Sequence, residues 1–434
     1  MILTTTSTPP RLWLLGLALL QSLLAALYTL LPFDGEPLPD PHNGMDIIVT
    51  DAATGFVDPL MMNWDTHTPT GRSYTISYPL RESVYYNCSR WFWDVAGVWA
   101  LREEEQCTPD TRRMVRAYIP ASYENGAAAA VLFAGDDDVG SGCVGCTPAD
   151  DRPSMGRPAA GQPGFWLNSV MLDRLIAAGR MPPNTVHITT NNANGRDIEM
   201  NTVSGLYSEF LQHEVLKRVR SHPEVIADYP LLRFTSDPKG RVLMGCSAGG
   251  DQAIIQALMR PDVVGVGVAF SATVTWTSTA LASNGSFPLG AADLWAGEGL
   301  IATGPKRDVR LFHSCAQHDL GTWTAPYDAP GTGMPSPGFG CVSGYPTNLC
   351  DREGENGAIK DGNRPGRNFG YVGVGDTCNP YADWADANNQ TASALHSRGY
   401  DHRYLWVRNA CHCDPRQYDQ SLPTVLTWAF EEAW

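Results

Sequence analysis

Arg241-Val-Leu-Met-Gly-Cys-Ser247-Ala-Gly-Gly250 is the stretch whose reading decides the fold. Val242 to Met244 is a short apolar run that reads as a buried strand. It breaks at Gly245, and Gly245 to Gly249 spells Gly-x-Ser-x-Gly. After Gly250 the period changes: Ala253, Ile254, Ala257 and Leu258 share a helix face, and Pro261 follows the last turn. Strand, glycine-flanked serine and helix are the context a nucleophile elbow requires. Bulky neighbours would clash in so tight a turn, hence the glycines. The turn holds the Ser247 hydroxyl out at the carboxyl end of the sheet, and the next N–H, that of Ala248, can point at a developing oxyanion. The competing reading is a structural Gly-Ser turn.

Outward from the elbow the same alternation continues. Upstream, Met114 to Ile119 alternates and ends at Pro120, Ala129 to Phe133 is a buried strand, and Val186 to Thr190 is another. Trp166 to Ala178 is an amphipathic helix, and Phe210 to Val219 sets Leu211, Val215, Leu216 and Val219 on one helix face. Downstream, strands at Val263 to Phe270, Val309 to His313 and His402 to Val407 alternate with helices at Ala382 to Ser397 and Leu422 to Ala433. This order predicts an α/β fold with a mostly parallel central sheet and helices on both faces.

The chain ends and composition set the context. Arg11 precedes an apolar run from Leu12 to Leu31, which reads as a signal peptide or an uncleaved signal anchor over 1–31. Residues 32–45 read as a linker and 46–107 as an N-terminal β extension whose aromatics, Trp91, Phe92, Trp93 and Trp99, pack on the core or offer a carbohydrate platform. The catalytic domain is expected over 108–434, with a Gly- and Pro-rich insertion at 320–380 that could act as a lid. Export fits the sequons at Asn87, Asn284 and Asn389 and the 11 cysteines, an odd number that leaves one unpaired. Cys143-Val-Gly-Cys146 lacks a second pair at zinc spacing, so no metal and no cofactor are expected. A net charge of −15 without a basic stripe argues against a nucleic-acid partner, and membrane contact is expected only through the N-terminal segment.

A serine hydroxyl needs a base. In a sheet of this kind the chain order is serine, then carboxylate, then histidine. His412 lies in a loop after the last strand and is the candidate base; His396 and His402 sit in regular structure before it. Asp319 follows the strand after the elbow unit and is the candidate acid, with Asp328, Asp376 and Asp383 as rivals farther from a strand end. His313 and His318 are candidates to line the cleft. The oxyanion donors would be the Ala248 N–H and one in the loop after Phe133, near Gly135 or Asp136. Closure of this triad also brings Cys246 close to Cys411 and Cys413, which bracket His412. A disulfide from Cys246 to Cys413, with Cys411 as second choice, would close a very long loop, worth roughly 4–5 kcal/mol in the chain-entropy model. A buried free Cys246 is the alternative.

Several separate pieces carry a resemblance. They are Thr111-Arg-Arg-Met-Val-Arg-Ala-Tyr-Ile-Pro-Ala-Ser-Tyr123, Leu172-Asp-Arg-Leu-Ile-Ala-Ala-Gly179, Asn194-Gly-Arg-Asp-Ile-Glu-Met-Asn-Thr-Val-Ser204, Gly245-Cys-Ser-Ala-Gly-Gly250, Gln317-His-Asp319, and Gly399-Tyr-Asp-His-Arg-Tyr404 leading to His412. From about Thr108 onward the chain resembles the esterase D, feruloyl esterase and enterochelin-esterase-like family of α/β-hydrolases. Its Cys-Ser, Asp, His-Cys arrangement is similar to that of fungal tannases and related feruloyl esterases, where the cysteines are bridged. The loop after Phe133 departs from the His-Gly of many α/β-hydrolases, and Asn409-Ala-Cys-His412 replaces a glycine pair. The resemblance implies a serine carboxylic-ester hydrolase working through an acyl-enzyme on a small-molecule or carbohydrate-linked ester. An acyltransferase, a pectin-acetylesterase-like enzyme and a non-catalytic binding protein on the same scaffold are the alternatives.

Overall fold

The computed structural model describes residues 47–56, 58–62, 70–86, 111–135, 169–192, 196–274, 291–295, 299–319 and 384–433. Among these residues ten strands form one sheet: β1 (Ile47–Asp51), β2 (Arg72–Pro79), β3 (Arg112–Ile119), β4 (Ala128–Ala134), β5 (Thr185–Thr190), β6 (Arg233–Phe234), β7 (Arg241–Cys246), β8 (Val266–Phe270), β9 (Arg310–His318) and β10 (Asp401–Cys411). Their order is β1-β10-β9-β8-β7-β4-β5-β3-β2, with the short β6 beside β4. Strand β3 runs against both its neighbours, β2 and β5. The other pairings are parallel.

Alternation along the strands makes two cores. Ala129, Val131 and Phe133 of β4, Leu243 of β7 and Ala269 of β8 face one side. Ala130, Leu132, Val242, Met244, Val268 and Phe270 face the other. The first face is covered by α3 (Leu206–Phe210), which runs through a π turn at Leu211–Val215 into α4 (Leu216–Ser221), and by α5 (Ala248–Met259). The second is covered by α1 (Ser169–Ala177) and α7 (Pro415–Ala429). Two further helices are α2 (Arg196–Asn201), which packs against α5, and α6 (Trp384–Ser397), which packs on β9. A sheet buried on both faces needs near-continuous apolar strands, and β5, β7 and β8 are buried throughout. The strand order, the one reversed strand and the helix layers make this an α/β-hydrolase fold.

The structure amends several sequence expectations. The segment read as an N-terminal β extension supplies both outer strands of the main sheet: β2 pairs with β3 along its whole length and β1 with β10. The sheet therefore crosses the expected boundary at 107/108. The last helix starts at Pro415, not near Leu422. Pro423 lies inside α7. It has no N–H for the Asp419 carbonyl four residues back, and that carbonyl instead accepts from the Asp58 N–H at 2.7 Å. Asn389 lies within α6, where its side-chain oxygen accepts from the Tyr404 hydroxyl. The expected signal or anchor at 1–31, the linker, the Trp91–Trp99 aromatics, the Cys143/Cys146 pair, the insertion at 320–380, and Asn87 and Asn284 lie outside the described residues. Among the described residues, no helix is long and apolar enough to cross a membrane.

Candidate active site

The elbow is built by close packing at glycine. A Cβ on Gly245 would lie 2.3 Å from the Gly249 carbonyl carbon, so only glycine fits before the turn. Ser247 itself takes φ 57° and ψ −126°, a conformation that costs of order 1–3 kcal/mol in a non-glycine residue. Main-chain bonds over-determine it. The Ser247 N–H donates to Phe270 O at 3.0 Å, and the Ser247 carbonyl accepts from Gly250 N at 2.9 Å and Thr273 N at 3.1 Å. The side chain is left half-buried at the carboxyl end of β7.

The candidate acid and base meet on the neighbouring strands. Asp319 follows β9 and His412 follows β10 directly. His412 Nδ1 donates to Asp319 Oδ1 at 2.6 Å, with side-chain exposures of 6% and 0%. The second carboxylate oxygen lies 3.4 Å from the Ala316 N–H and 3.5 Å from the buried Cys315 thiol. Trp384 packs perpendicular to the imidazole, ring centres 4.6 Å apart. That apolar wall keeps the local dielectric low and strengthens the Asp–His bond. With Nδ1 so engaged, Nε2 is the nitrogen left for proton transfer.

A disulfide ties the two halves. Cys246 is bonded to Cys413, Cα atoms 6.1 Å apart, so the residue before Ser247 is linked to the residue after His412. This is the pairing expected from the sequence. The base loop is shaped by left-handed residues, Asn409 at φ 53° and Cys413 at φ 50°. Asn409 is held by its N–H to Gln317 Oε1 and by its side-chain amide to Asp51 Oδ1, both at 2.9 Å. Strand β1 thus supports the base loop through Asp51. Asp414 caps α7 by accepting from the Arg416 N–H.

Ser247 Oγ meets Thr273 Oγ1 at 3.3 Å, and among the described residues this is its hydrogen-bond partner. The Ala248 N–H, at the first position of α5, has no intrahelical acceptor. Gly135 follows β4 on the other flank, where an added Cβ would lie 2.3 Å from Gln252 Oε1 and 3.3 Å from the Tyr207 hydroxyl. Asp136, the other donor candidate, lies outside the described residues, as do Asp328, Asp376 and Asp383.

His313 does not line the cleft as expected. It is fully buried, its Nε2 pairs with Asn388 Oδ1, and its ring stands beside Tyr404. Burial pushes its pKa down to about 4. His402 is held neutral in the same way. The His318 side chain lies outside what is described. Sequence reasoning missed Ser271, Thr273 and Asn409. The first two carried a usable signal, polar residues directly after a buried strand, the same rule that picked out Asp319.

No family model and no curated protein matches the chain. Among solved structures it is similar to a ferulic acid esterase, at 14% identity and TM-score 0.42, covering 83% of this chain and 99% of that one. It is also similar to the enterobactin esterase of Shigella flexneri, at 13% identity and TM-score 0.43, covering 86% of this chain and 62% of that one, less than two thirds of its length. A ferulic acid esterase from Anaeromyces mucronatus, in complex with ferulic acid, matches at 9% identity and TM-score 0.45 over 90% of this chain and all of that one.

Proposed function

We propose that the protein is a serine hydrolase of carboxylic esters, with Ser247 as nucleophile, His412 as general base and Asp319 as the acid of the triad. The observation that carries this reading is the 2.6 Å Asp319–His412 bond in a loop bolted by Cys413 to the residue before the elbow serine. Ser247 Oγ attacks the ester carbonyl and passes its proton to His412 Nε2, while Asp319 holds the tautomer and stabilises the imidazolium. The carbonyl electron pair moves onto oxygen and is held by the Ala248 N–H and an N–H near Gly135. The bond to the alcohol then breaks, and the departing oxygen takes the proton from His412. Water repeats the cycle on the acyl-enzyme, releases the acid and restores Ser247. The disulfide favours an oxidising compartment, so we place the catalytic region outside the cytosol, secreted or anchored by the N-terminal segment.

The test is labelling of the purified protein by a fluorophosphonate probe, with Ser247→Ala and His412→Ala beside wild type. Labelling of wild type alone is the expected result. A folded wild type that stays unlabelled would turn the reading toward a binding protein on a hydrolase scaffold, and labelling that survives Ser247→Ala would mean a different serine. Release of free acid from acyl esters in plain buffer separates hydrolysis from obligatory transfer to another acceptor.

A further inference from the structure

Thr273 is tied to Ser247 twice. Its N–H donates to the Ser247 carbonyl at 3.1 Å, and its hydroxyl stands 3.3 Å from the Ser247 hydroxyl. It is 3% exposed and β-branched, so its side chain is stiff. The segment around it is pinned on every side. Ser271, at φ 45°, donates its N–H to Ser314 O on β9 and accepts the Cys413 N–H on its Oγ. The Ala272 carbonyl accepts from the Asn388 amide at 3.0 Å, and a Cβ on Gly250 would meet Ala272 at 3.1 Å. A tripeptide after β8 therefore touches the elbow, strand β9 and the base loop together. Of the two hydroxyls that face each other, that of Thr273 is fixed and that of Ser247 sits on a single rotatable bond.

We infer that the Thr273 hydroxyl is an auxiliary hydrogen-bond partner of the nucleophile, accepting from Ser247 at rest and donating to its oxygen during turnover. This rests on the ester-hydrolase reading. A serine hydroxyl has one proton and two lone pairs. When that proton turns to His412 Nε2, the Oγ lone pairs remain for a donor, and the Thr273 O–H is in reach. In the acyl-enzyme, Oγ is an ester oxygen that can only accept. When the deacylation intermediate collapses, the bond from carbon to Oγ breaks, its electron pair goes to Oγ, and the proton returns from the His412 imidazolium. A donor already aimed at Oγ stabilises the charge that develops there, and hydrogen bonds to charged groups are the stronger kind.

The experiment compares wild type, Thr273→Val and Thr273→Ser by kcat/KM on a chromogenic acyl ester, by the rate of fluorophosphonate labelling, and by thermal midpoint. Valine keeps the branched shape and removes the hydroxyl; serine keeps the hydroxyl and removes the methyl. The expected result is at least a tenfold fall in both rates for Thr273→Val, recovery to within about threefold of wild type for Thr273→Ser, and thermal midpoints that do not follow this order. Wild-type rates in Thr273→Val would overturn the inference and leave the esterase reading intact. Equal losses in both folded variants would also overturn it, since packing of the methyl would then be what matters. An unlabelled, inactive wild type would overturn the esterase reading and this inference with it.

Discussion

Cys246 and Cys413 are bonded across 167 residues of sequence, and each adjoins a residue of the proposed triad, Ser247 and His412. A cross-link over so long a loop restricts the unfolded chain by about 5 kcal/mol in the chain-entropy model. It also fixes the base loop, whose left-handed Cys413 donates its N–H to Ser271 Oγ. The Cys246→Ala/Cys413→Ala double variant is expected to lose several kcal/mol of stability in a denaturant titration. Assayed well below its melting point, it should lose at least tenfold in kcat as well. Full activity in the folded double variant would reduce the bridge to a stability device.

Asp319 accepts from His412 Nδ1 while fully buried. Asparagine has the same shape but can present an N–H to Nδ1, which forces the proton to the wrong ring nitrogen. Asp319→Asn is therefore expected to lower kcat by roughly 10³–10⁴ at neutral pH, the scale seen when a triad acid is so changed. KM and the thermal midpoint should move little. A loss under tenfold would remove Asp319 from the triad.

Gly245 has the Gly249 main chain where a Cβ would go, at 2.3 Å from carbon and 2.4 Å from oxygen. Backbone cannot step aside as a flexible side chain can. Gly245→Ala should displace α5 from β7 and cost about 3 kcal/mol or more, within the range of severe core substitutions. The readout is the yield of soluble protein and the urea midpoint. A stable, active Gly245→Ala would contradict the packing described for the elbow.

The elbow was legible because its glycines, its apolar strand and its helix period lie within twenty residues. The acid and base were legible because chain order and strand ends leave few positions for them. What sequence reading missed depends on long-range pairing. Strand β1 is five residues with little alternation, and its place beside β10 is visible only through the register that brings Asp51 to Asn409. The start of α7 was hidden because Pro423 lies within it, and nothing local reveals that the Asp58 N–H satisfies the carbonyl this proline leaves free. His313 looked like a cleft residue because it sits on the strand leading to Asp319. Its partner Asn388 is 75 residues away.

Buried titratable groups set the pH dependence of stability. His187 and His313 have pKa values pushed down to about 4 by burial, and His402 is lowered for the same reason. Unfolded, each titrates near 6.5. Between about pH 6.5 and pH 4 the unfolded chain therefore binds more protons at these sites, and stability falls as pH falls. Asp419 runs the other way. Its carboxylate oxygens are buried without hydrogen-bond partners, and burial first, then the charge of Asp414, raises its pKa to about 7. Unfolded, it ionises near 4. It holds a proton in the folded state that the unfolded state has lost, so its stabilisation is complete below about pH 4 and disappears as pH rises to about 7. Between pH 4 and 6.5 the histidines outnumber the carboxyl, and their contribution makes stability rise with pH. Just above 6.5 Asp419 acts alone in this group and stability declines. Asp419→Asn, neutral at every pH, should abolish that decline. Urea midpoints at pH 6 and pH 8 test this. The wild type should lose about 1 kcal/mol more than the variant over this interval, since one pKa unit corresponds to about 1.4 kcal/mol. An equal decline in both proteins would mean that Asp419 is already ionised in the fold.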